Sequence, residues 1–148
     1  MNHIKMKIAQ KVVVGAVVIK EGKALILQRS EKEKTFPGLW ELPSGKKEDL
    51  EKTEDALLRE VEEETGLEIE IVGQVSVFDY SHKGGDEIRD FTQINFLARI
   101  LGKPDVKLSK EHQGYAWVGE GDIDRYNLTK QTEEAIARAF DALATIDR

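Results

Sequence analysis

Three glutamates stand close together in the sequence at a spacing that could create a site for a metal ion. Glu60, Glu63 and Glu64 fall at positions i, i+3 and i+4, so in a helix their carboxylates share one face, whereas Glu62 points elsewhere. Like charges at this spacing weaken a helix unless something neutralises them. Mg²⁺ prefers oxygen ligands and accepts such a set. The spacing therefore predicts a divalent-cation site, while a solvated acidic helix face is the simpler alternative for three glutamates alone.

These glutamates need a rigid element, and the sequence around them predicts a helix over residues 53–65. Thr53 is of the type that caps helix N-termini, and Glu54 and Asp55 would favour the positive end of the helix dipole. Gly66 can adopt the left-handed conformation that ends a helix. Both ends of the helix are therefore marked in the sequence.

Apolar residues on the same helix indicate where the acidic face lies. Leu57, Leu58 and Val61 fall on the flank next to the glutamates, not opposite them, when each residue turns about 100° around the axis. A merely solvated face would more often oppose the apolar side. We therefore expect the carboxylates at the edge of the core, at the margin of a cleft between helix and sheet.

The rest of the chain alternates apolar runs with polar, glycine-rich segments. Residues 12–19 and 24–28 are nearly continuous apolar runs, which predicts two strands buried on both faces, whereas residues 30–45 are typical of an extended loop. The other predicted elements are alternating strands from Leu67 to Val77 and from Ile94 to Ile100 with Gly84 and Gly85 in the loop between them, a short strand at residues 115–118, and a helix at residues 132–143. This order predicts an α/β (α+β) fold with a mixed β-sheet sandwiched between helices.

Length, charge and cysteine content limit the classes of protein that the chain could represent. Its 148 residues predict a single domain over residues 1–148. The net charge of −6 argues against binding a nucleic acid polymer or an anionic membrane, since both favour an excess of Lys and Arg. No cysteine occurs, which excludes disulfides and thiolate chemistry. A polyanionic substrate would therefore need local basic residues or a bound cation.

The N-terminal segment is similar to a signal peptide only superficially. Lys5, Lys7 and Lys11 precede the apolar run at residues 12–19, but that run is short and ends without a small-residue cleavage site. No apolar stretch approaches the length of a membrane span. We expect a cytoplasmic protein, with a monomer and a homodimer both left open.

A longer pattern around the three glutamates identifies a family. The chain matches the Nudix box at every fixed position, namely Gly45, Glu51, Arg59, Glu60, Val61, Glu63, Glu64, Gly66 and Leu67. The Gly-Leu-Trp-Glu-Leu-Pro approach at residues 38–43 is also typical of that family. The chain therefore resembles the MutT-like Nudix hydrolases. The resemblance implies the Nudix fold and metal-dependent hydrolysis of a nucleoside diphosphate linked to another group X.

The resemblance also implies roles for the residues of the box. The implied ligands of Mg²⁺, or of Mn²⁺ as a substitute, are the Gly45 carbonyl, Glu60, Glu63 and Glu64. Arg59 and Glu51 would pair to hold the helix and the preceding loop in register. Leu50 and Ser44 depart from the family, which usually has glycine at both positions. Neither departure removes a ligand, although both could alter the loop.

A further acidic residue follows from a segment downstream of the box. Residues 110–113 are similar to a segment of the branch that hydrolyses nucleoside triphosphates, where the glutamate adds a metal ligand or a base. Glu111 is therefore the fourth acid, with an exposed loop glutamate as the alternative. The base that accepts the proton of the attacking water could be Glu60 or Glu111. Asp86 and Glu87 are further candidates for that base.

Candidate substrate contacts fall at five positions. Arg29 and Lys46 match positions that often touch phosphates in this family, with plain surface charge as the alternative. Trp40 and Phe36 could stack a base, as could Trp117, although anchoring of the core or of a loop is the simpler role for each.

The absence of residues that mark other branches of the family narrows the range of expected substrates. The proline that ADP-ribose hydrolases usually carry after the box is missing, because none occurs between Pro43 and Pro104, and Tyr80 is displaced from the tyrosine of dinucleoside polyphosphate enzymes. In one branch an asparagine recognises an oxidised purine. Asn127 and Gln131 lie near the corresponding position in the sequence, but neither is a secure counterpart. The resemblance favours a nucleoside triphosphate, including oxidised or non-standard ones, cut to the monophosphate and pyrophosphate. The alternatives are ADP-ribose, a dinucleoside polyphosphate, or a module that binds a nucleotide without cutting it.

Overall fold

A computed structural model describes residues 5–146; residues 1–4 and 147–148 of the expected domain lie outside the described part. The described chain forms strands, two α-helices and one short 3₁₀-helix. In chain order they are β1 (Lys7–Lys20), β2 (Lys23–Arg29), β3 (Trp40–Glu41), β4 (Ser44–Lys46), α1 (Thr53–Thr65), β5 (Glu68–Gly84), β6 (Glu87–Leu101), β7 (His112–Gly119), the 3₁₀-helix (Glu120–Arg125) and α2 (Lys130–Ile146).

The strands form one mixed sheet with β1 at its centre. β1 pairs with β6 in parallel, while its pairings with β2 and β4 are antiparallel. The order along the sheet is β3, β2, β1, β6 and β5, with β4 joined to β1 and β7 joined to β2. β5 and β6 form a long antiparallel hairpin that turns at Gly85, whose φ of 61° favours glycine. The sheet therefore brings β4 against the second half of α1, where the Ser44 N–H donates to Glu64 and the Lys46 carbonyl accepts from Arg59.

Apolar clusters cover both faces of the sheet, because alternate residues of β1 point to opposite sides. Val14 packs in a cluster with Leu57 of α1, whereas Val17 packs in a second cluster with Ile136 of α2. These residues are almost completely buried. The arrangement confirms the predicted mixed sheet between helices and the burial of the first two strands on both faces.

β5 departs from the alternation predicted for it. The pairing of β5 with β6 shifts between Ile71 and Gly73 and again between Gln74 and Ser76, as β-bulges do. Ile71 therefore packs on the α1 side, whereas Val75 packs on the α2 side. Val77, expected on the same face as Ile71, is instead exposed. At a bulge the side chains of a strand switch to the opposite face of the sheet. The predicted continuous alternation of apolar residues from Leu67 to Val77 was therefore wrong.

Helix α1 has the predicted bounds but not the predicted cap. Thr53 is the first helical residue, the N-cap is Lys52, and Lys52 makes no side-chain capping bond, so the assignment of Thr53 as N-cap was wrong. At the other end Gly66 has a φ of 72° and its N–H donates to the Glu62 carbonyl, as expected.

The apolar flank of α1 is narrower than the helix geometry indicated. Leu57 and Val61 are completely buried, and Ala56 is buried beside them. Leu58, which the sequence placed on the same flank, is 39% exposed. The contact with the sheet is therefore centred on Leu57, and it leaves Leu58 on the outer side.

Two other segments differ from the sequence prediction. Residues 30–45, expected to be a loop, contain β3 and the start of β4, because these short strands pair with β2 and β1. The last helix is longer than expected, and Thr129 Oγ1 accepts a hydrogen bond of 3.2 Å from the Thr132 N–H at its start. Within residues 5–146 no helix is both long and apolar enough to cross a membrane.

Candidate active site

Arg59 on α1 links the helix to the loop that follows β4. Its Nε and Nη2 donate to the two carboxylate oxygens of Glu51 at 2.8 and 2.9 Å, and Nη2 also donates to the Lys46 carbonyl at 3.1 Å. The hydrogen bond from Arg59 lowers the pKa of Glu51 to about 2 and raises that of Arg59. The predicted pairing of Arg59 with Glu51 is therefore present, and it ties the helix to the loop after β4.

Glu60 lies against the backbone of β4. Its side chain is 15% exposed, and its Oε1 accepts a hydrogen bond of 2.8 Å from Arg59 Nη1. A Cβ added to Gly45 would lie 2.0 Å from Cδ of Glu60, so only glycine allows the carboxylate to approach this closely. Burial raises the pKa of Glu60 despite the neighbouring guanidinium.

Glu64 is the most deeply buried carboxylate of the box. Its side chain is 6% exposed, and its Oε1 accepts a hydrogen bond of 2.8 Å from the Ser44 N–H. Burial raises its pKa to about 9, and the negative charges of Glu41, Glu111 and Glu60 add to the shift. Serine at position 44 does not disturb this contact, because the donor is the backbone N–H.

Glu63 lies on the outer side of the same face. Its side chain is 57% exposed and accepts hydrogen bonds of 3.3 Å from Arg59 Nη1. Arg59 therefore neutralises Glu63 together with Glu60 and Glu51. Neither Glu63 nor Glu60 lines the neighbouring cavity, so α1 presents its carboxylates at the cleft margin to different depths.

A cavity of about 590 Å³ opens beside α1 and β4. Glu64, Gly45 and Glu111 line it together with the predicted phosphate contacts Arg29 and Lys46. The cavity therefore joins carboxylates and cationic side chains in one space, as a site for a metal-bound phosphate would require. Further residues that the sequence did not assign to the site line the cavity, among them Tyr80, His82, Arg89, Phe91 and Gln93.

The two predicted phosphate contacts, Arg29 and Lys46, also contact other side chains of the protein. Arg29 donates through Nη1 to Glu41 at 3.3 Å and through Nε to the Thr35 carbonyl at 2.9 Å. Lys46 Nζ lies 5.8 Å from the centre of the Phe91 ring. Arg29 is thus fixed in orientation, whereas the contact of Lys46 is the looser one.

Glu41 and His112 form a buried pair that sequence reasoning did not single out. His112 Nε2 lies 2.8 Å from Glu41 Oε2, and the His112 side chain is completely buried. β2 brings the two together, because Leu27 pairs with Glu41 and Arg29 pairs with His112. They are 71 residues apart, so no local pattern could have found the pair.

A second cavity of about 270 Å³ adjoins the first and shares Phe36 and Tyr80 with it. Trp40 and Gln131 line the second cavity, and Trp40 also packs edge-on against Tyr126 with ring centres 5.0 Å apart. Phe36 is 59% exposed at the rim of both cavities. Burial raises the pKa of the Tyr80 hydroxyl.

Other candidate residues lie elsewhere. Trp117 lines neither cavity; it packs against the cluster on the α1 side, and Lys20 Nζ lies 4.6 Å from the centre of its ring. Asp86 and Glu87 lie at the turn of the β5–β6 hairpin and do not line the 590 Å³ cavity. Leu50 has a φ of 63°, so the loop keeps a left-handed conformation where the family has glycine.

The close contact between Gly45 and Glu60 gives a testable expectation. Gly45→Ala should push the Glu60 carboxylate away from β4 and weaken Mn²⁺ binding by roughly 10- to 100-fold, as loss of a supporting contact at a metal site does. Isothermal titration calorimetry measures the change. Gly121→Ala is the matched control, because its Cβ would meet no atom within 4 Å. Equal Mn²⁺ affinity in both variants would contradict the expectation.

Comparison with known proteins identifies the family of the chain. The NUDIX domain family matches residues 9–140. Nucleoside triphosphatase NudI of Escherichia coli O81 (strain ED1a) is 29% identical over 138 residues, covering 86% of this chain and 94% of the relative.

Solved structures of MutT proteins are also similar. That of MutT from Methanosarcina mazei Go1 is 30% identical with a TM-score of 0.75, covering 92% of this chain and 96% of the other. That of a MutT NUDIX hydrolase from Burkholderia pseudomallei is 30% identical with a TM-score of 0.73, covering 87% and 97%. With its box, its fold and these similarities, the chain belongs to the Nudix hydrolase family.

Proposed function

We propose that this Nudix hydrolase cuts a nucleoside triphosphate into the monophosphate and pyrophosphate, with Mg²⁺ bound and with Mn²⁺ as a substitute. The observation that carries the proposal is the 590 Å³ cavity, in which Glu64 and Glu111 face the same space as Arg29 and Lys46. A triphosphate carries several negative charges, so it requires cations on the protein or bound to it. Oxidised and other non-standard triphosphates are included among the candidate substrates.

The donor set fits a hard divalent cation. The proposed ligands are the Gly45 carbonyl, Glu60, Glu63, Glu64 and Glu111. Burial raises the pKa of Glu64 and the neighbouring negative charges add to the shift, so a bound cation would favour its charged form. When bound, such an ion neutralises phosphate oxygens and lowers the pKa of the attacking water.

Two glutamates are candidates for the base that accepts the proton of the attacking water. Glu60 already accepts a hydrogen bond from Arg59, and its carboxylate lies outside the cavity lining. Glu111 is exposed and lines the cavity, so a water molecule can reach it. We therefore propose Glu111 as the base in addition to its role as a ligand, one role for each of its carboxylate oxygens. Glu60 is then a ligand only, with Arg59 as a positioning residue.

The substrate is proposed to span both cavities. Arg29 and Lys46 would contact phosphates in the larger one, while Trp40 and Phe36 would contact the base in the smaller one. The wall that the two cavities share supports this proposal, because the phosphates and the base of a nucleotide are adjacent. The name of one relative, nucleoside triphosphatase NudI, supports a triphosphate.

A substrate panel tests the proposal. We expect kcat/KM with Mg²⁺ to be highest for a deoxynucleoside triphosphate or for oxidised dGTP, compared with ADP-ribose and a dinucleoside polyphosphate. The products should be the monophosphate and pyrophosphate, and ¹⁸O from labelled water identifies which phosphorus is attacked. The reaction is repeated with a chelator and with Glu111→Gln, which should lower kcat more than KM.

Different results point to different alternatives. A preference for ADP-ribose or for a dinucleoside polyphosphate would replace the triphosphate while keeping the enzyme. Tight nucleotide binding with no metal-dependent turnover of any substrate would instead favour the non-catalytic module.

A further inference from the structure

His112 has one ring nitrogen that is held in place and one without a partner. Nε2 lies 2.8 Å from Glu41 Oε2. Nδ1 is buried and has no hydrogen-bond partner among the described residues. Buried polar atoms are nearly always hydrogen-bonded, so an unpartnered nitrogen in a completely buried side chain calls for a ligand.

The contacts of Glu41 determine which nitrogen carries the proton. The Glu41 carboxylate accepts a hydrogen bond from Arg29 Nη1 at 3.3 Å. A carboxylate can only accept, so Nε2 of His112 must donate to it. In the neutral imidazole Nδ1 then carries a lone pair. Histidines that bind metals usually have this arrangement, with the other N–H donated to a carboxylate.

The lone pair of Nδ1 faces the proposed metal ligands. Nδ1 lies 4.0 Å from Glu64 Oε2, beyond hydrogen-bonding distance. Donor atoms from Glu64, Glu111 and His112 lie within 4.8 Å of one another. Metal–nitrogen and metal–oxygen bonds of about 2.1 Å would allow one cation to contact Nδ1 and the Glu64 oxygen. The other oxygen of Glu64 is held by the Ser44 N–H.

We propose that His112 Nδ1 is a nitrogen ligand of a divalent cation that Glu64 and Glu111 also bind. This inference rests on the proposed metal-dependent function and adds a ligand type that the Nudix box lacks. Imidazole suits transition-metal ions such as Zn²⁺ better than it suits Mg²⁺, whose ligands are oxygens. The site therefore favours a transition-metal ion at this position.

Pulsed electron paramagnetic resonance of the Mn²⁺-loaded protein tests the ligand directly, without any measurement of activity. A coordinated imidazole gives a ¹⁴N coupling, which should change when the protein is made with ¹⁵N-histidine. The chain has three histidines, so the double variant His3→Gln with His82→Gln leaves His112 as the only imidazole. That variant should keep the coupling, and it leaves His112 itself intact.

Substitution of His112 gives the complementary result. His112→Gln keeps an amide that can donate to Glu41 but removes the nitrogen at Nδ1. We expect it to abolish the ¹⁴N coupling and to weaken Mn²⁺ binding by at least about tenfold, while Mg²⁺ binding changes by less than about threefold. Circular dichroism checks the fold. If His112→Gln does not fold, the ¹⁴N coupling of the double variant His3→Gln with His82→Gln decides whether His112 is the nitrogen ligand.

The possible failures are distinguishable. Bound Mn²⁺ without ¹⁴N coupling, or a coupling that survives in folded His112→Gln, would overturn the role of His112 and leave the proposed function standing. Absence of both Mn²⁺ and Mg²⁺ binding would overturn the metal site, and with it the proposed function.

Discussion

Glu64→Gln is expected to lower kcat by at least about 100-fold, because it removes a charged ligand of the proposed metal site from the wall of the cavity. Glutamine has nearly the same shape, and its carbonyl can still accept the hydrogen bond from Ser44. The loss should therefore reflect charge, not the fold. Glu63→Gln should also lower kcat by a large factor if Glu63 binds the metal. Steady-state kinetics over a range of Mg²⁺ concentrations measures both effects.

Glu62 provides the matched control on the same helix. It is exposed, it carries the same charge, and the change to glutamine is chemically identical. Glu62→Gln should keep kcat within about threefold of the original protein, since remote surface charges contribute little. An equal loss in Glu62→Gln and Glu64→Gln would indicate a general effect of helix charge. Full activity of Glu64→Gln would remove Glu64 from the metal site.

The second large effect concerns the stability of the metal-free protein. In chelator at pH 8, Glu64→Gln should raise the free energy of unfolding by several kcal/mol. The reason is that burial raises the pKa of Glu64 from 4.5 to about 9, so folding at pH 8 requires Glu64 to take up a proton or to bury a charge. Glutamine has no such cost. Denaturant unfolding at fixed pH measures the difference.

The sign of the pH dependence follows from proton binding. Between pH 4.5 and about 9 the folded protein keeps a proton on Glu64 that the unfolded chain has released. Stability therefore falls as the pH rises through this range, by at most about 1.4 kcal/mol per pH unit from this group. The difference between Glu64→Gln and the original protein should be small near pH 4 and should grow towards pH 9. Glu51, whose pKa is lowered, has the opposite sign below pH 4.5 and is common to both proteins.

Divalent cations should reduce this difference in stability. A cation that binds the charged carboxylate in the folded state stabilises it by mass action. Mg²⁺ or Mn²⁺ should therefore raise the stability of the original protein much more than that of Glu64→Gln. A pH-independent difference between the two proteins in chelator would contradict the buried-charge explanation. Glu62→Gln again serves as the control, and it should show no gap that grows with pH.

The proposed metal site lowers the stability of the metal-free fold. Glu64 is buried where a neutral residue would be more stable, and Glu60 is pressed against Gly45. Arg59 offsets part of the repulsion by neutralising Glu51, Glu60 and Glu63. Such a conflict between local stability and charge is typical of functional sites.

The sequence by itself was sufficient for the family and for features set within a few residues. The acidic face of α1 and its end at Gly66 follow from spacing and from the left-handed glycine, whereas the start at Thr53 was predicted with the wrong capping residue. The pairing of Arg59 with Glu51 followed from the resemblance and is present. These features could be predicted because each depends on residues close together in the chain.

Features that depend on strand pairing could not be predicted in this way. The bulges in β5 move Val75 to the α2 side, and pairing with β1 and β2 converts parts of an expected loop into strands. The exposure of Leu58 depends on how α1 sits on the sheet. Each outcome is decided by a partner far away in the chain, about which a local pattern holds no information.

The depth of the individual carboxylates was decided by the tertiary structure alone. Three glutamates that are equivalent in the sequence pattern become a buried Glu64, a partly buried Glu60 and an exposed Glu63. Glu41 and His112 come together only because β3 and β7 both pair with β2. The sequence therefore determined which chemistry the chain carries. Packing across the sheet decided that Glu64 is desolvated and that Nδ1 of His112 lies near it. Burial and electrostatic coupling depend on distances between segments that lie far apart in the chain, so the sequence alone does not give them.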